Sequence, residues 1–518
     1  MGSEGTLPAV RALVIGLDAF DKDLAAEWTA SGDLPVLARL LSEGTVVTIR
    51  NPPGLQAGCA WPSFATSLSP ARHRRFFRLQ ARRGEYLQQD FDPEATQGAH
   101  FWELLGAAGR SACVVDVPHA RVSRDVRGIH LVDWTTHEPD FAPARSHPAE
   151  LVADLERRFG RPVPDACDHV ERTAAGFEGF LGRLERRIDD KLALASHLFA
   201  TDDFDLRVVV FGEAHCAGHQ CFHLHDPRHP QHDAAMRARI GDPMQRLYRK
   251  LDAAIGELLA GAGEDTAVLV LLSHGMKAYY SAEDAIFDDI LRRIDGHDKP
   301  GPTHRRGAAY GALKRLWHRL PGAVRNSRFA RRLRSTLAPG LHHGALVPDR
   351  KSRRFFAIPN NPHSGAVRIN LVGREAHGVV EARDYDAVCA GLRDALFTLR
   401  CADTGAPYVR AVVRARDLYS GPYLDELPDL LVDWNRDAPI KAVSSPATGT
   451  LEVPLVVART GDHSNEGLLV ARGRGFAARR EPRAVDIADL GPTIAALFGV
   501  TLDGVDGRVA PELIPGRG

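Results

Sequence analysis

The chain has 518 residues, 44% of them hydrophobic, enough for one large α/β domain with insertions or for two or three ordinary domains. Lys plus Arg and Asp plus Glu both number 66, so no global field draws the protein to nucleic acid or to a membrane, and any such attraction is local. Seven cysteines with no paired CxxC framework suit a reducing compartment, and no apolar run reaches the roughly eighteen residues of a membrane span, so a cytoplasmic protein is expected.

In chain order, VRALVIGLD (10–18) reads as a first strand, continuous rather than alternating, as a strand buried on both faces should be. AHFWELLGAAGR (99–110) has helical apolar spacing and closes near a glycine; SACVVDV (111–117) and LRVVVFGE (206–213) follow as buried strands. DPMQRLYRKLDAAIGELLAGAG (242–263) is a second strong helix, TAVLVLLSHG (266–275) another buried strand, and DIADLGPTIAALFGV (486–500) a closing helix. This alternation predicts an α/β fold with a mainly parallel sheet, one domain over 8–515. Residues 301–354 depart from it: fourteen Lys or Arg stand against the single acid Asp349, with Trp317 and Phe329 interleaved. That basic stretch is expected to be an insertion, either a solvated flap or a lid over an anionic substrate, and it leaves contact with a polyanion open.

Chemistry is expected where the strands end, because open parallel sheets bind ligands beyond the carboxyl ends of their strands. Asp18 closes the first strand, Glu213 and His215 follow LRVVVF, His274 follows VLVLLS, and Asp462 and His463 lie in TGDHSNEG. The stretch GEAHCAGHQCFHLHD (212–226) places His215 and His219 four apart, so a helical turn or a loop folded at Gly218 could offer two imidazoles to one ion. Imidazole favours Zn²⁺ or a similar transition ion, Mn²⁺ among them, over Mg²⁺. His223 and His225 run into HDPRHPQHD, a loop signal, and are expected outside the ligand set.

These residues resemble the alkaline phosphatase superfamily, and within it the type I phosphodiesterase/nucleotide pyrophosphatase branch. VIGLDAFD is similar to the family's opening strand with its metal-binding Asp, here Asp18. AGCAWPSFATSLSPARHR (57–74) resembles the segment T-x-P-A-W-x-S-x-x-T-G-x-x-P-x-x-H-G from Ala60 to His73, and HCAGH resembles D-x-x-G-H with His215 at the acid position. SHGM (273–276) looks like S-D-H-G-M, GDHSNEG like G-x-H-x-x-x-G with His463 as ligand, and DIADLGPTIAALFGV with DGR (506–508) like the closing motif. The resemblance implies a three-layer α/β/α sandwich, hydrolysis of phosphate esters, and metal ligation by Asp18, His215, His219, His274 and His463.

The departures from the pattern bear on mechanism. The family's Thr or Ser nucleophile falls at Ala57, and the Asp of its D-H pair falls at Ser273, so one metal position keeps only Asp18 and His274. The other becomes His215, His219 and His463, an all-imidazole set suited to one zinc ion with an open water position. The expected activity is a metal-dependent hydrolase of a small anionic phosphate ester, of phosphodiesterase or phosphomonoesterase type. Metal-activated water would attack phosphorus and Glu213 or Asp462 would take its proton. Cys59, two residues after the vacant position, is an alternative nucleophile if its thiolate is stabilised, and otherwise a small buried residue. A different class remains open: a member that keeps the fold and one ion but binds, or transfers a group to an acceptor other than water. Oligomeric state is not legible in the sequence.

Overall fold

The computed structural model describes residues 11–81, 84–86, 88–135, 143–160, 170, 172–297 and 348–515. Among the described residues ten strands form the central sheet. Across it run Arg479–Arg480, Thr45–Arg50, Glu466–Arg472, Thr266–Leu272, Arg11–Leu17, Leu206–Phe211, Ala112–Val115, Gly128–Val132 and Arg145–His147, with Val485–Asp486 also on Thr45–Arg50. The four strands read from their apolar runs are its contiguous parallel centre: Arg11–Leu17 pairs in register with both Thr266–Leu272 and Leu206–Phe211, and Ala112–Val115 pairs with Leu206–Phe211. Glu466–Arg472 enters antiparallel between Thr266–Leu272 and Thr45–Arg50.

Each central strand sends alternate residues into a different core. Leu13, Ile15 and Leu17 join Val270 and Leu272 on one face, packed by Trp28, Leu184, Leu251 and Phe222 of the helices there. Ala12 and Val14 join Leu269 and Leu271 on the other, packed by Trp61, Phe64, Phe101 and Ile494. Helices therefore cover both faces, and the fold is a three-layer α/β/α sandwich. With each fully buried Leu, Ile or Val side chain contributing about 1.5–3 kcal/mol, these two clusters dominate its stability. Among the described residues no helix is long and apolar enough to cross a membrane.

A smaller antiparallel sheet of Phe355–Ile358, Ser364–Ile369, Leu430–Trp434 and Val409–Arg414 stands apart from the large one, with its own core of Phe287, Ile290, Val367, Leu392 and Trp434. A further cluster of Leu55, Cys59, Phe76, Phe356 and Leu431 joins this small sheet to the helix Gln56–Thr66. Of the basic stretch 301–354, residues 301–347 lie outside the described residues. Arg353, at its end, is fully buried and paired to Asp288 at 2.9 Å, whereas Lys351, Ser352 and Arg354 beside it are exposed.

Candidate metal centre

Three histidines converge where the central strands end. His215 and His219 lie one turn apart on the helix Glu213–His225, which begins directly after Leu206–Phe211, so their rings share a helical face. His463 lies on Gly461–Ser464, paired with Gly275–Ala278 so that Met276 faces it. The contact between helix and strand is very close: a Cβ on Gly461 would sit 2.3 Å from the Gly218 carbonyl oxygen, and one on Gly218 would sit 2.6 Å from Met276 Cγ. Glycine at both positions permits the approach that lets three rings meet. Ring centroids are 4.5 Å apart for His215 and His219, 4.9 Å for His215 and His463, and 4.7 Å for His219 and His463.

The donor atoms suit a metal. His219 donates its Nδ1 proton to the Gly461 carbonyl at 2.7 Å, which fixes the tautomer and leaves Nε2 as the ligand atom. That Nε2 lies 3.2 Å from His215 Nε2. Two nitrogens bound to a tetrahedral zinc ion stand about 3.3 Å apart, so the pair is spaced for one ion. Neither ring nitrogen of buried His463 has a hydrogen-bond partner among the described residues, an orphaned group of the kind an ion would satisfy. One ligand atom from each ring lies within 4.8 Å of the others. Burial, and then the neighbouring His219 and His274, push His463 well below the usual histidine range, so it is a neutral imidazole near pH 7.

Beside this cluster lies a second, poorer one. His274, its ring 4.8 Å from that of His463, places Nε2 3.2 Å from Asp18 Oδ1. The same Asp18 oxygen accepts from Trp61 Nε1 at 2.7 Å and from Ser273 Oγ at 3.4 Å. Trp61 reaches it over Gly16, where a Cβ would lie 2.6 Å from the indole ring. Asp18 and His274 thus form a bonded pair, with a hydroxyl where a further carboxylate would be needed.

The small sheet also reaches the centre. Asp462 Oδ2 accepts from the backbone N–H of His363 at 2.9 Å, from His363 Nδ1 at 3.0 Å and from Arg436 at 3.3 Å. Its Oδ1 lies 3.5 Å from His463 Nδ1. Burial works against the charged form of Asp462, but the His363 hydrogen bond and the nearby Arg436 charge hold the group well below the usual carboxylate range. Nothing in the motifs pointed to His363. Arg436 follows the strand Leu430–Trp434, and the same strand-end reasoning that singled out Asp18 could have found it. A second arginine, Arg459, sets its guanidinium 3.5 Å from His219 Nε2.

Two other expected residues are engaged in contacts of their own. Glu213 is fully buried on the first turn of the histidine helix, its carboxylate 3.6 Å from Arg187 and 3.7 Å from Lys191, which also pairs with Asp116 at 3.3 Å. Its contacts are those of a buried ion-pair network. Cys59 packs in the apolar seam with the small sheet, donates to the Leu55 carbonyl at 3.2 Å, and has its thiol pushed well above the usual range by burial. Ser63 and His73 bond to each other at 3.0 Å, and burial lowers His73 to about 3. His223 and His225 belong to the helix rather than to a loop. His223 bonds to Thr460 at 3.1 Å and steadies the strand carrying His463, whereas His225 pairs with Asp242 at 2.9 Å.

A strand-end cluster of buried imidazoles and carboxylates on a three-layer α/β/α sandwich defines an alkaline phosphatase-like hydrolase. The model of the type I phosphodiesterase/nucleotide pyrophosphatase family covers residues 12–447, and the chain belongs to that family, whose members are phosphoester hydrolases. No curated protein sequence matches it. Among solved structures, phosphonoacetate hydrolase from Sinorhizobium meliloti 1021, in complex with phosphonoacetate, superposes with a TM-score of 0.50 at 14% identity over 95% of this chain and 96% of that one. Wild-type alkaline phosphatase PafA gives 0.50 at 13% identity over 98% and 99%. Murine ectonucleotide pyrophosphatase/phosphodiesterase 5 gives 0.48 at 13% over 96% and 97%. At these identities the likeness is one of fold.

Proposed function

We propose that the protein hydrolyses a small anionic phosphate ester at a single divalent ion, zinc by its donor set, held by His215, His219 and His463. The observation that supports this reading is the convergence of three buried imidazoles, one of them with both nitrogens unbonded. When bound, such an ion supplies Lewis-acid polarisation of the phosphoryl group and acidifies the attacking water. The remaining work falls to the chain. The Gly461 carbonyl fixes His219, and the Asp462 carboxylate lies 3.5 Å from His463 Nδ1, close enough to act on it electrostatically. A carboxylate held as acidic as Asp462 is a weak general base, so its negative charge beside His463 is its main contribution. Two candidates for covalent attack are otherwise engaged: Cys59 is a buried thiol and Ser63 is bonded to His73. Water is then the nucleophile; its oxygen bonds to phosphorus as the ester oxygen departs with a proton. The cytoplasm is the compartment we propose, supported by the sparse cysteines.

The test is elemental analysis with kinetics on 4-nitrophenyl phosphate and bis(4-nitrophenyl) phosphate. The expected result is about one zinc ion per chain, lost in His219→Ala and in His463→Ala, with turnover falling by orders of magnitude in His215→Ala. Full zinc occupancy in both variants would refute the ligand set. A zinc-loaded parent that turns over neither ester would favour the binding or group-transfer alternative.

A further inference from the structure

The ribbon that carries His463 is forked at its root. In the central sheet Leu272 pairs with Leu468, and in the outer ribbon Gly275 pairs with Ser464, so Ser273 and His274 face Asn465, Glu466 and Gly467, the one-residue offset of a β-bulge. The ladder is broken there, and the carbonyls of Ser273 and Asn465 both turn to one side chain. Asn51 Nδ2 donates to the Ser273 carbonyl at 2.8 Å and to the Asn465 carbonyl at 2.8 Å. Asn51 directly follows the strand Thr45–Arg50, whose Arg50 pairs with Glu466, and Pro52 after it disfavours a helical backbone, which keeps the chain extended toward the fork. At Gly467 the fork has no room for a side chain of its own: a Cβ there would lie 2.1 Å from the Leu272 carbonyl oxygen and 2.4 Å from that of Ser273.

Both hydrogens of the Asn51 amide are committed to these carbonyls. Turned over, the group would set its oxygen against two acceptors, which fixes which amide atom faces the fork. Its Oδ1 is buried and has no hydrogen-bond partner among the described residues. An unpaired buried acceptor lowers stability, so the amide adds little to the core and its contribution lies in the two carbonyls it joins. One belongs to the peptide leading into His274, the other lies two residues beyond His463, and the rings of these two histidines are 4.8 Å apart. We propose that Asn51 is a positioning residue of the metal centre: by closing the fork it sets His463 against the Asp18–His274 pair, and so brings the third imidazole to the place where an ion held by His215 and His219 needs it. The inference rests on the single-ion reading of that centre and adds to it a residue that is not itself a ligand.

The experiment compares Asn51→Leu and Asn51→Ser with the parent, all as the full chain. In amide hydrogen exchange without metal, residues 273–278 and 461–465 should exchange at least about tenfold faster in both variants, while the helices Ala174–Phe199 and Pro243–Ala260 keep their parental protection. Zinc affinity, read by competition with a chelator, should fall by about 10- to 100-fold, the scale of a lost partner behind a ligand. Co²⁺ taken up in place of zinc should show an altered visible absorption spectrum, because its bands follow the ligand geometry. Parental zinc affinity with a parental cobalt spectrum overturns the proposal, and so does a loss of protection spread evenly over the chain, which is the mark of a merely structural amide. If Asn51→Leu does not fold, Asn51→Ser decides alone, since its shorter hydroxyl adds no bulk and has one donor for two carbonyls. A parent that takes up neither zinc nor cobalt removes the single-ion reading; the exchange pattern then decides the fork by itself, selective loosening of the two segments upholding the placement of His463 and even loosening overturning it.

Discussion

His219 and Gly461 are joined across 2.7 Å by a hydrogen bond from the imidazole Nδ1 to the peptide carbonyl, and the Thr460 N–H returns to the His219 carbonyl at 2.6 Å. This reciprocal pair locks the strand of His463 onto the helix of His215 and His219.

Gly461→Ala should therefore act as a metal-site mutation although it removes no ligand. Its Cβ would lie 2.3 Å from the Gly218 carbonyl and 3.0 Å from Phe222, forcing strand and helix apart. We expect a stability loss of about 1–3 kcal/mol and zinc affinity weaker by about 10- to 100-fold, read by thermal melting and by competition with a chelator of known affinity. Zinc retained at parental affinity would show that the pairing does not position the ligands.

Cys59→Ala and Glu213→Gln should separate structure from chemistry. Cys59→Ala should leave ester hydrolysis close to the parental rate, because the thiol lies in the apolar seam. Glu213→Gln should lower stability by about 3–5 kcal/mol, the scale of an uncompensated buried charge beside Arg187 and Lys191. The rate of the folded fraction should be preserved; a selective collapse of kcat with melting unchanged would instead make Glu213 a proton carrier.

Ser273→Asp tests whether the second cluster is one carboxylate short. The Ser273 hydroxyl lies 3.4 Å from Asp18 Oδ1, and His274 follows it directly. Asp at this position would complete a set with Asp18 and His274, and bound metal should rise from about one ion per chain toward two. Stoichiometry fixed at one would mean that the Asp18–His274 pair has settled into a structural role.

His130 supplies a pH test away from the metal. It is buried, its Nδ1 accepts the Ser123 N–H at 2.9 Å, and burial, then the charge of Arg121, lowers it from 6.5 to about 3. A depressed folded value means that the unfolded chain takes up the proton first. The stability held above pH 6.5 is thus lost progressively as pH falls toward 3, at about 1.4 kcal/mol per pH unit for this group. His130→Asn keeps an acceptor and removes the titration, so the slope of unfolding free energy against pH between 6 and 5 should drop by about that amount. An unchanged slope would place the acid sensitivity elsewhere.

Much of this architecture was legible because burial on both faces writes itself as uninterrupted apolar runs: residues 10–18, 206–213 and 266–275 each became a central strand ending at Asp18, Glu213 or His274. His215 and His219 were legible through their helical spacing, and His463 through its motif. The partners of Asp462 were hidden, because His363 and Arg436 approach from a sheet whose strands are short, antiparallel and distant in sequence. Glu213 shows the opposite side of the same limit. It occupies a strand end as a catalytic acid would, and only the packing of the helix Ala174–Phe199 shows Arg187 and Lys191 turned toward it.

The strand Gly461–Ser464 presents consecutive residues to opposite sides, His463 toward the triad and Asp462 toward His363 and Arg436. One backbone step therefore connects the seating of the small sheet to the filling of the metal position, and the two equilibria are thermodynamically linked. Whatever tightens one must tighten the other by the same factor. In an exchange of small sheets between members of this fold, metal affinity would travel with the transplanted piece even though it contributes no ligand.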